Sequence, residues 1–213
     1  MRTAYLDCFS GVSGDMLLGA LLDAGVPEDY LREVLAGLPL HGYSLEVERK
    51  TVQGFAATRV RVICDQHHHH AHRHLAEITD LLHRATLPPQ VRDRAVAVFT
   101  RLAEAEAAVH GTTVEAIHFH EVGAVDALVD IVGTVAGFAY LRIDHLVCSP
   151  LPLARGWVQC AHGDIPLPGP AVCRLLEGVP VYGVDLDQEL VTPTGAALVR
   201  ELAKDFGPME PMR

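Results

Sequence analysis

The feature of this sequence that most constrains its fold is a long apolar segment at residues 121–141. Its residues are apolar almost all round a helical projection, which is typical of a helix enclosed by other elements. Its longest apolar run, near residues 131–141, is shorter than the roughly 20 residues that a membrane-spanning helix needs. We therefore expect a central buried helix near residues 121–141, inside a protein that does not span a membrane.

Two kinds of pattern surround this helix along the chain. Alternating apolar and polar residues predict strands at residues 43–48 and 57–63, joined near Gly54 into an antiparallel hairpin. Apolar residues at helical spacing predict helices elsewhere, for example at Leu75–Arg84. The mixture predicts an α/β (or α+β) fold with one main sheet flanked by helices.

The length and composition bound the domain organisation. The chain has 213 residues, 49% of them hydrophobic, which is enough to form a sizeable core in one domain. We assign residues 1–206 to that domain. Residues 207–213, GPMEPMR, have a turn composition without a core pattern, so we expect them to begin a linker to a C-terminal domain outside this chain.

Charge and cysteine content exclude several classes of protein. Lys and Arg number 17 against 27 Asp and Glu, which gives a formal net charge of −10. Because no basic run is present, a nucleic-acid partner is not expected. The N-terminus lacks a leader-like apolar run, so we expect a cytoplasmic protein without a membrane partner. Five irregularly spaced cysteines without a CxxC pair indicate neither a disulfide framework nor a zinc ribbon.

A histidine-rich segment in the middle of the chain predicts metal binding. Six of the eight residues at 67–74 are histidines, and a purification tag would lie at a chain end instead. A flexible array of imidazoles binds divalent ions with an affinity that rises through cobalt and nickel to copper. Since such an array lacks fixed geometry, its natural role is to collect or hand over metal; the alternative is a solvated polar loop. The predicted ligands are His67, His68, His69, His70, His72 and His74.

A second candidate site, HFHEVGAVD, lies where the chain enters the apolar helix. In an extended segment the side chains of His118 and His120 project from the same side. Two imidazoles beside Glu121 and Asp126 suit nickel, zinc, iron or cobalt better than magnesium. Asp126 and Asp130 lie four residues apart on one helix face, so an enclosed helix would require partners or a metal for them. We predict an inner metal or catalytic site here; the alternative is a cap and a solvent-facing stripe.

The loop DCFSGVSGDM, at a predicted strand-to-helix junction, is a candidate anion site. Backbone N–H groups at a helix N-terminus attract anions, and glycine lets a ligand approach the backbone closely. The loop matches neither common phosphate-loop fingerprint, and the alternative is that Ser13 caps the helix while Asp15 complements its dipole. The candidate ligand-binding residues are Asp7, Ser10, Gly11, Ser13, Gly14 and Asp15.

Two further candidates lie in the last third of the chain. In HGDIPLPGP the prolines predict a rigid turn that begins the next helix, and His162 precedes them. Its spacing alone is that of an ordinary loop histidine. Thr192 and Thr194 lie at a hydroxyl-rich helix start, which either caps the helix or binds an anion.

These segments together resemble one known family. YLDCFSGVSGDM, the His-rich segment before HLAEITDLL, HFHEVGAVDALVDIVG, HGDIPLPGPA and ELVTPTGAAL occur in the order found in LarC, the nickel insertion protein of nickel-pincer cofactor biosynthesis. The resemblance implies a CTP-dependent nickel chelatase that inserts nickel into pyridinium-3,5-bisthiocarboxylic acid mononucleotide, with formation of Ni–S and Ni–C bonds. The product is the prosthetic group of lactate racemase and related enzymes.

The resemblance also implies cofactors, partners and site residues. It implies Ni²⁺, CTP with Mg²⁺ or Mn²⁺ bound by the C-terminal domain, and the lactate racemase apoprotein as a partner. Two alternatives stay open: a nickel store or chaperone without a small-molecule substrate, and a metal-dependent hydrolase that activates water at the HFHE cluster. The family motifs fall on Asp7, Ser10, Ser13, Asp15, His118, His120, Glu121, Asp126, His162, Thr192 and Thr194.

Overall fold

The computed structural model describes residues 1–64, 73–119, 124–160 and 163–212. Helices and strands are mixed along these residues. Their order is β1 (Thr3–Leu6), α1 (Gly14–Asp23), α2 (Glu28–Ala36), β2 (Tyr43–Val52), β3 (Phe55–Cys64), β4 (Arg73–His74), α3 (Leu75–Arg84), α4 (Pro89–His110), β5 (His118–Phe119), α5 (Val125–Tyr140), β6 (His145–Cys148), β7 (Leu151–Cys160), β8 (Gly163–Leu167), α6 (Pro170–Leu175), β9 (Val181–Asp187), α7 (Pro193–Leu202) and β10 (Asp205–Phe206).

The helix α5 is the centre of the core, as the apolar segment predicts. Most of its residues are buried, and it packs against α1, α2, α4 and α7. Two glycines allow α1 to approach closely: a Cβ on Gly133 would lie 2.8 Å from the Leu18 side chain, and one on Gly137 would lie 2.8 Å from Leu21. Across the described ranges, no helix is long and apolar enough to cross a membrane.

The strands form several small sheets around this helical core. In the described residues β1, β6 and β10 form a parallel sheet, β2 pairs with β3, β4 pairs with β5, and β7 lies between β8 and β9. The mixed α/β class is confirmed, but the strands do not join into the one main sheet that the sequence suggested. The physical reason is that α5 occupies the centre of the core, so each small sheet packs beside helices instead. The interpretation of residues 207–213 as a linker stays a prediction.

The predicted hairpin is present and lies against α1. Its strands β2 and β3 pair in antiparallel register from Tyr43–Cys64 to Val52–Phe55. The Asp23 carboxylate of α1 accepts hydrogen bonds from the Thr58 backbone N–H at 3.1 Å and from its hydroxyl at 2.6 Å. These bonds attach β3 to the C-terminal end of α1, and they fix the strand alongside that helix.

Pro166 lies in a strand and not in the predicted turn, whereas Pro168 lies in the bend after that strand and Pro170 begins α6 as predicted. Residues Gly163–Leu167 instead form β8, in which Pro166 lies opposite Trp157 of β7. Proline is tolerated in this strand because β8 lies at the edge of its sheet. On the outer side of an edge strand no neighbouring strand requires the backbone N–H that proline lacks. The strand β7, the partner of β8, begins at Leu151.

Candidate functional site

A cavity of about 360 Å³ lies where three helices begin. The first turns of α1 and α5 and the start of α7 meet there, and β3 forms one wall. It therefore unites the N-terminal loop, the threonine-rich helix start and the beginning of the apolar helix, which the sequence presented as separate candidates. The lining residues are Ser13, Gly14, Asp15, Val60, Arg61, Val62, Ile63, Asp126, Asp130, Thr192 and Thr194.

Backbone hydrogen bonds hold the two loops of the cavity together. The Val12 N–H donates to the Leu190 carbonyl at 2.9 Å, and the Thr192 N–H donates to the Val12 carbonyl at 3.2 Å. Gly11 has a φ of +98°, and a Cβ there would lie 2.0 Å from the Leu190 carbonyl oxygen. A side chain at this position would separate the loops, so Gly11 supports the cavity without lining it.

The helix starts differ in how their N–H groups are satisfied. The Thr192 hydroxyl accepts a hydrogen bond from the Gly195 N–H at 3.1 Å, so the capping alternative holds for Thr192. Ser13 is at the N-cap position of α1, but its hydroxyl donates to the Asp15 carboxylate and makes no capping bond. Because the first N–H groups of a helix have no intrahelical acceptors, those of α1 are suited to bind an anion.

Asp130 is the most enclosed carboxyl group of the cavity. Its Oδ1 atom is fully buried and has no hydrogen-bond partner. Its side chain lies against the backbone of Gly14, where a Cβ would be 2.5 Å from the Asp130 Oδ2 atom. Burial, together with the negative charges of Asp15 and Asp126, raises the pKa of Asp130 to about 8.

The other charged groups of the cavity have partners. The Asp126 carboxylate accepts the Ala127 N–H at 2.9 Å, and the Arg61 guanidinium of β3 donates to Glu46 at 3.0 Å. Among the described residues, no group of three His, Cys, Asp or Glu side chains is placed to hold a metal ion.

A pair of histidines forms a second feature. The two-residue strands β4 and β5 place His74 opposite His118, and the ring centroids are 3.8 Å apart. The His74 Nδ1 atom lies 3.0 Å from the Ile117 carbonyl oxygen. With the Nδ1 hydrogen donated to that carbonyl, the Nε2 lone pair is available to a metal.

The pair joins two segments that the sequence analysis treated as an outer and an inner site. His74 is a helix cap as well as a member of the histidine-rich segment, because its N–H donates to Glu77 at 2.7 Å. His118 is exposed, whereas Phe119 beside it is fully buried. The histidine predicted for an inner site therefore lies at the protein surface.

Several predicted residues do not line the cavity or cannot be placed. Asp7 and Ser10 are exposed in the loop that precedes α1 and lie outside the lining of the cavity. The sequence did not predict Arg61 as a site residue. The alternation of apolar and polar residues indicates a strand there, but it does not indicate that the strand borders a cavity. Outside the described residues lie His67, His68, His69, His70, His72, His120, Glu121 and His162.

A comparison with known families decides the classification. The sequence model of the family described as nickel insertion protein matches residues 4–213. The chain belongs to the nickel insertion protein family. The resemblance deduced from the sequence motifs is thereby confirmed.

Members of the nickel insertion family with curated names are closely similar to this chain. A protein of Desulfitobacterium hafniense is 51% identical over 213 residues, which cover 100% of this chain and 52% of that protein. One from Geobacillus kaustophilus is 46% identical over 221 residues, which cover 100% and 54%. Both are called pyridinium-3,5-bisthiocarboxylic acid mononucleotide nickel insertion protein. The chain spans about half the length of these relatives, and no solved structure matches it.

Proposed function

We propose that this chain inserts Ni²⁺ into pyridinium-3,5-bisthiocarboxylic acid mononucleotide, the compound in the names of its relatives. The observation that carries the proposal is the cavity in which helix N-termini, threonine hydroxyls and carboxylates meet. The named compound combines an anionic phosphate, a cationic ring and two thiocarboxylates. A cavity with both donor groups and carboxylates suits such a molecule better than one of a single polarity.

The phosphate would bind at the side of the cavity formed by α1 and α7. There the uncapped N–H groups after Ser13 and the hydroxyl of Thr194 supply neutral donors. Gly14 lets the Asp130 side chain lie directly against the backbone of this turn, because a Cβ there would be 2.5 Å from Asp130 Oδ2. Neutral donors are important here, since the carboxylates of Asp15 and Asp126 repel a second anion at short range.

The cationic ring would lie towards the carboxylates at the start of α5. Asp126 is exposed at the rim, and Asp130 lies deeper in the same helix. The negative charge of these carboxylates attracts the pyridinium cation, and it also attracts the Ni²⁺ ion when that ion arrives. This arrangement would orient the thiocarboxylates towards the incoming metal.

Nickel would reach the substrate through the histidines. We propose that His67, His68, His69, His70 and His72 collect Ni²⁺, and that His118 and His120 hold it for transfer, with Glu121 or Asp126 completing the site. The contact between His74 and His118 supports this route, because it brings the end of the collecting segment to the proposed holding site. Nickel is here a substrate that passes through the protein.

The remaining parts of the proposal concern the rest of the reaction. We propose CTP with Mg²⁺ or Mn²⁺ as co-substrate, bound by a C-terminal domain of the family. His162 would contribute to substrate binding, and the lactate racemase apoprotein would receive the product. The cytoplasm would be the site of this reaction.

Mononucleotide binding by a Gly14→Val variant tests the cavity as the substrate site. The added side chain would displace Asp130 and block the turn, so we expect binding to weaken roughly tenfold or more. Isothermal titration with the mononucleotide measures this change. Gly183→Val is the matched control, because a Cβ at Gly183 meets nothing within 4 Å.

The same titration separates the proposal from the alternative of a nickel store. A store would ignore the mononucleotide, so the absence of heat with the unaltered protein would reject the proposed substrate. Unchanged affinity in a folded Gly14→Val variant would instead reject this cavity as the binding site. Circular dichroism confirms that the variant is folded.

A further inference from the structure

The proposed reaction requires a group that accepts a proton from the substrate ring. Nickel held by thiocarboxylates at ring positions 3 and 5 lies beside the carbon between them. To form a Ni–C bond there, the C–H bond must break, its electron pair must pass to nickel, and H⁺ must leave. Nickel remains Ni²⁺ throughout, so no oxidant or reductant takes part. A Brønsted base near the ring is therefore needed.

We infer that Asp130 is this base; the inference rests on the proposed function. Of the three carboxyl groups that line the cavity, Asp15 accepts the Ser13 hydroxyl and Asp126 accepts the Ala127 N–H. Asp130 has an oxygen that is buried and bonded to nothing. An oxygen with an unused lone pair is the one best able to receive a proton.

The surroundings of Asp130 keep its carboxyl group reactive. Its side chain is held against the Gly14 backbone and is thus positioned before substrate arrives. The cavity's arginine, Arg61 of β3, donates to Glu46 and forms no ion pair with Asp130. A carboxylate that is largely withdrawn from solvent and has no cationic partner is a stronger base than an ordinary one.

A second unsatisfied polar atom lies on the same helix. Thr134 follows Asp130 by four residues on α5, is fully buried, and has a hydroxyl without a partner. Unsatisfied buried polar groups are rare in folded proteins and cost stability. Two of them one turn apart indicate that this face of α5 keeps polar groups for a purpose other than stability.

The electrostatics around Asp130 also suit a base that works near neutral pH. The groups that face it are Asp15 from α1, Asp126 from its own helix and Arg61 from β3, while α7 contributes the hydroxyls of two threonines. Burial and the two carboxylates raise the Asp130 pKa to about 8. Because only the ionised form accepts a proton, the rate should rise with pH up to about 8 and level off above it.

Asp130→Asn tests the inference, since it removes the base and preserves the shape of the side chain. The measurement is the exchange of the ring hydrogen for deuterium in D₂O, followed by NMR on the intact protein with nickel, CTP and mononucleotide. We expect the exchange and Ni–C bond formation to slow by about a hundredfold or more. Below pH 8 mononucleotide affinity should change by less than about threefold, because Asp130 is then mostly protonated and Asn retains both its neutral state and its volume.

The pH dependence of the rate distinguishes a base from a residue with only a structural role, because loss of a structural contact would not change the shape of this dependence. The unaltered protein should show the rise towards pH 8, and the Asn variant should lose it. Asp93→Asn, an exposed position on α4, is the matched control and should keep the rise. In an Asp130→Ala variant, added formate should restore part of the exchange by occupying the vacated space.

The outcomes separate this inference from the function on which it rests. Wild-type exchange and an unchanged pH profile in Asp130→Asn would overturn the role of Asp130 and leave nickel insertion intact. Absence of both mononucleotide binding and nickel insertion in the unaltered protein would overturn the proposed function itself. Slow exchange with normal mononucleotide affinity supports the inference.

Discussion

The cavity and the histidine pair are built in different ways. Close backbone approach shapes the cavity, in which Gly11 and Gly14 leave no room for a side chain. Two strands of only two residues each bring His74 and His118 together at the surface. We infer that the substrate site depends on volume and the metal site on ligand chemistry. An added methyl group at a glycine of the cavity should weaken substrate binding there. Nickel binding at the histidines should weaken only when imidazole nitrogens are removed.

The largest effect is expected when the proposed nickel-holding site is removed. Replacing His118 and His120 with alanine should abolish nickel insertion even with excess nickel, because the proposed holding site loses both of its nitrogen ligands. Mononucleotide affinity should stay within about twofold, since His118 is not among the described residues that line the cavity. Nickel insertion is followed by mass spectrometry of the product. Normal activity in this double variant would remove the proposed holding site.

The histidine-rich segment should give a smaller effect. Alanine at His67, His68, His69, His70 and His72 should reduce the number of bound nickel ions several-fold but leave mononucleotide affinity unchanged. His74 is best retained, because its N–H forms the capping box of α3 with Glu77. Equilibrium dialysis counts the nickel ions. An unchanged count would contradict the collecting role.

The smallest effect concerns the start of α7. Thr192→Ala removes the hydroxyl that accepts the Gly195 N–H, and should lower the free energy of unfolding by about 1 kcal/mol. Thr192→Ser retains the acceptor and should restore most of this stability. Denaturant unfolding measures both variants. Equal stability of the alanine and serine variants would show that the cap contributes nothing and that Thr192 serves the ligand alone.

Local patterns were sufficient to predict the helices and the hairpin. The apolar segment predicted α5, and alternation predicted β2 and β3, because each pattern reports the periodicity of its own backbone. The partners of the remaining strands were not predicted, since parallel pairing such as that of β1 with β6 joins residues far apart in sequence. The error at β8 arose because proline marks turns more often than edge strands.

The candidate site was predicted in separate parts. Glycines and hydroxyls at two helix starts indicated anion binding, but only the pairing of Val12 with Val191 brings those starts together. The four-residue spacing of Asp126 and Asp130 indicated a polar face on a buried helix. It did not reveal that Asp130 has an unpartnered oxygen, because that depends on how Gly14 packs against it.

The pairing of Val12 with Val191 has a consequence for how the protein is made. The cavity of a nascent chain cannot close until Val191 has left the ribosome, although His74 and His118 emerge much earlier. During synthesis these two imidazoles are thus available before the proposed nucleotide site can form. We expect a growing polypeptide to bind nickel at the proposed histidine ligands before that site exists.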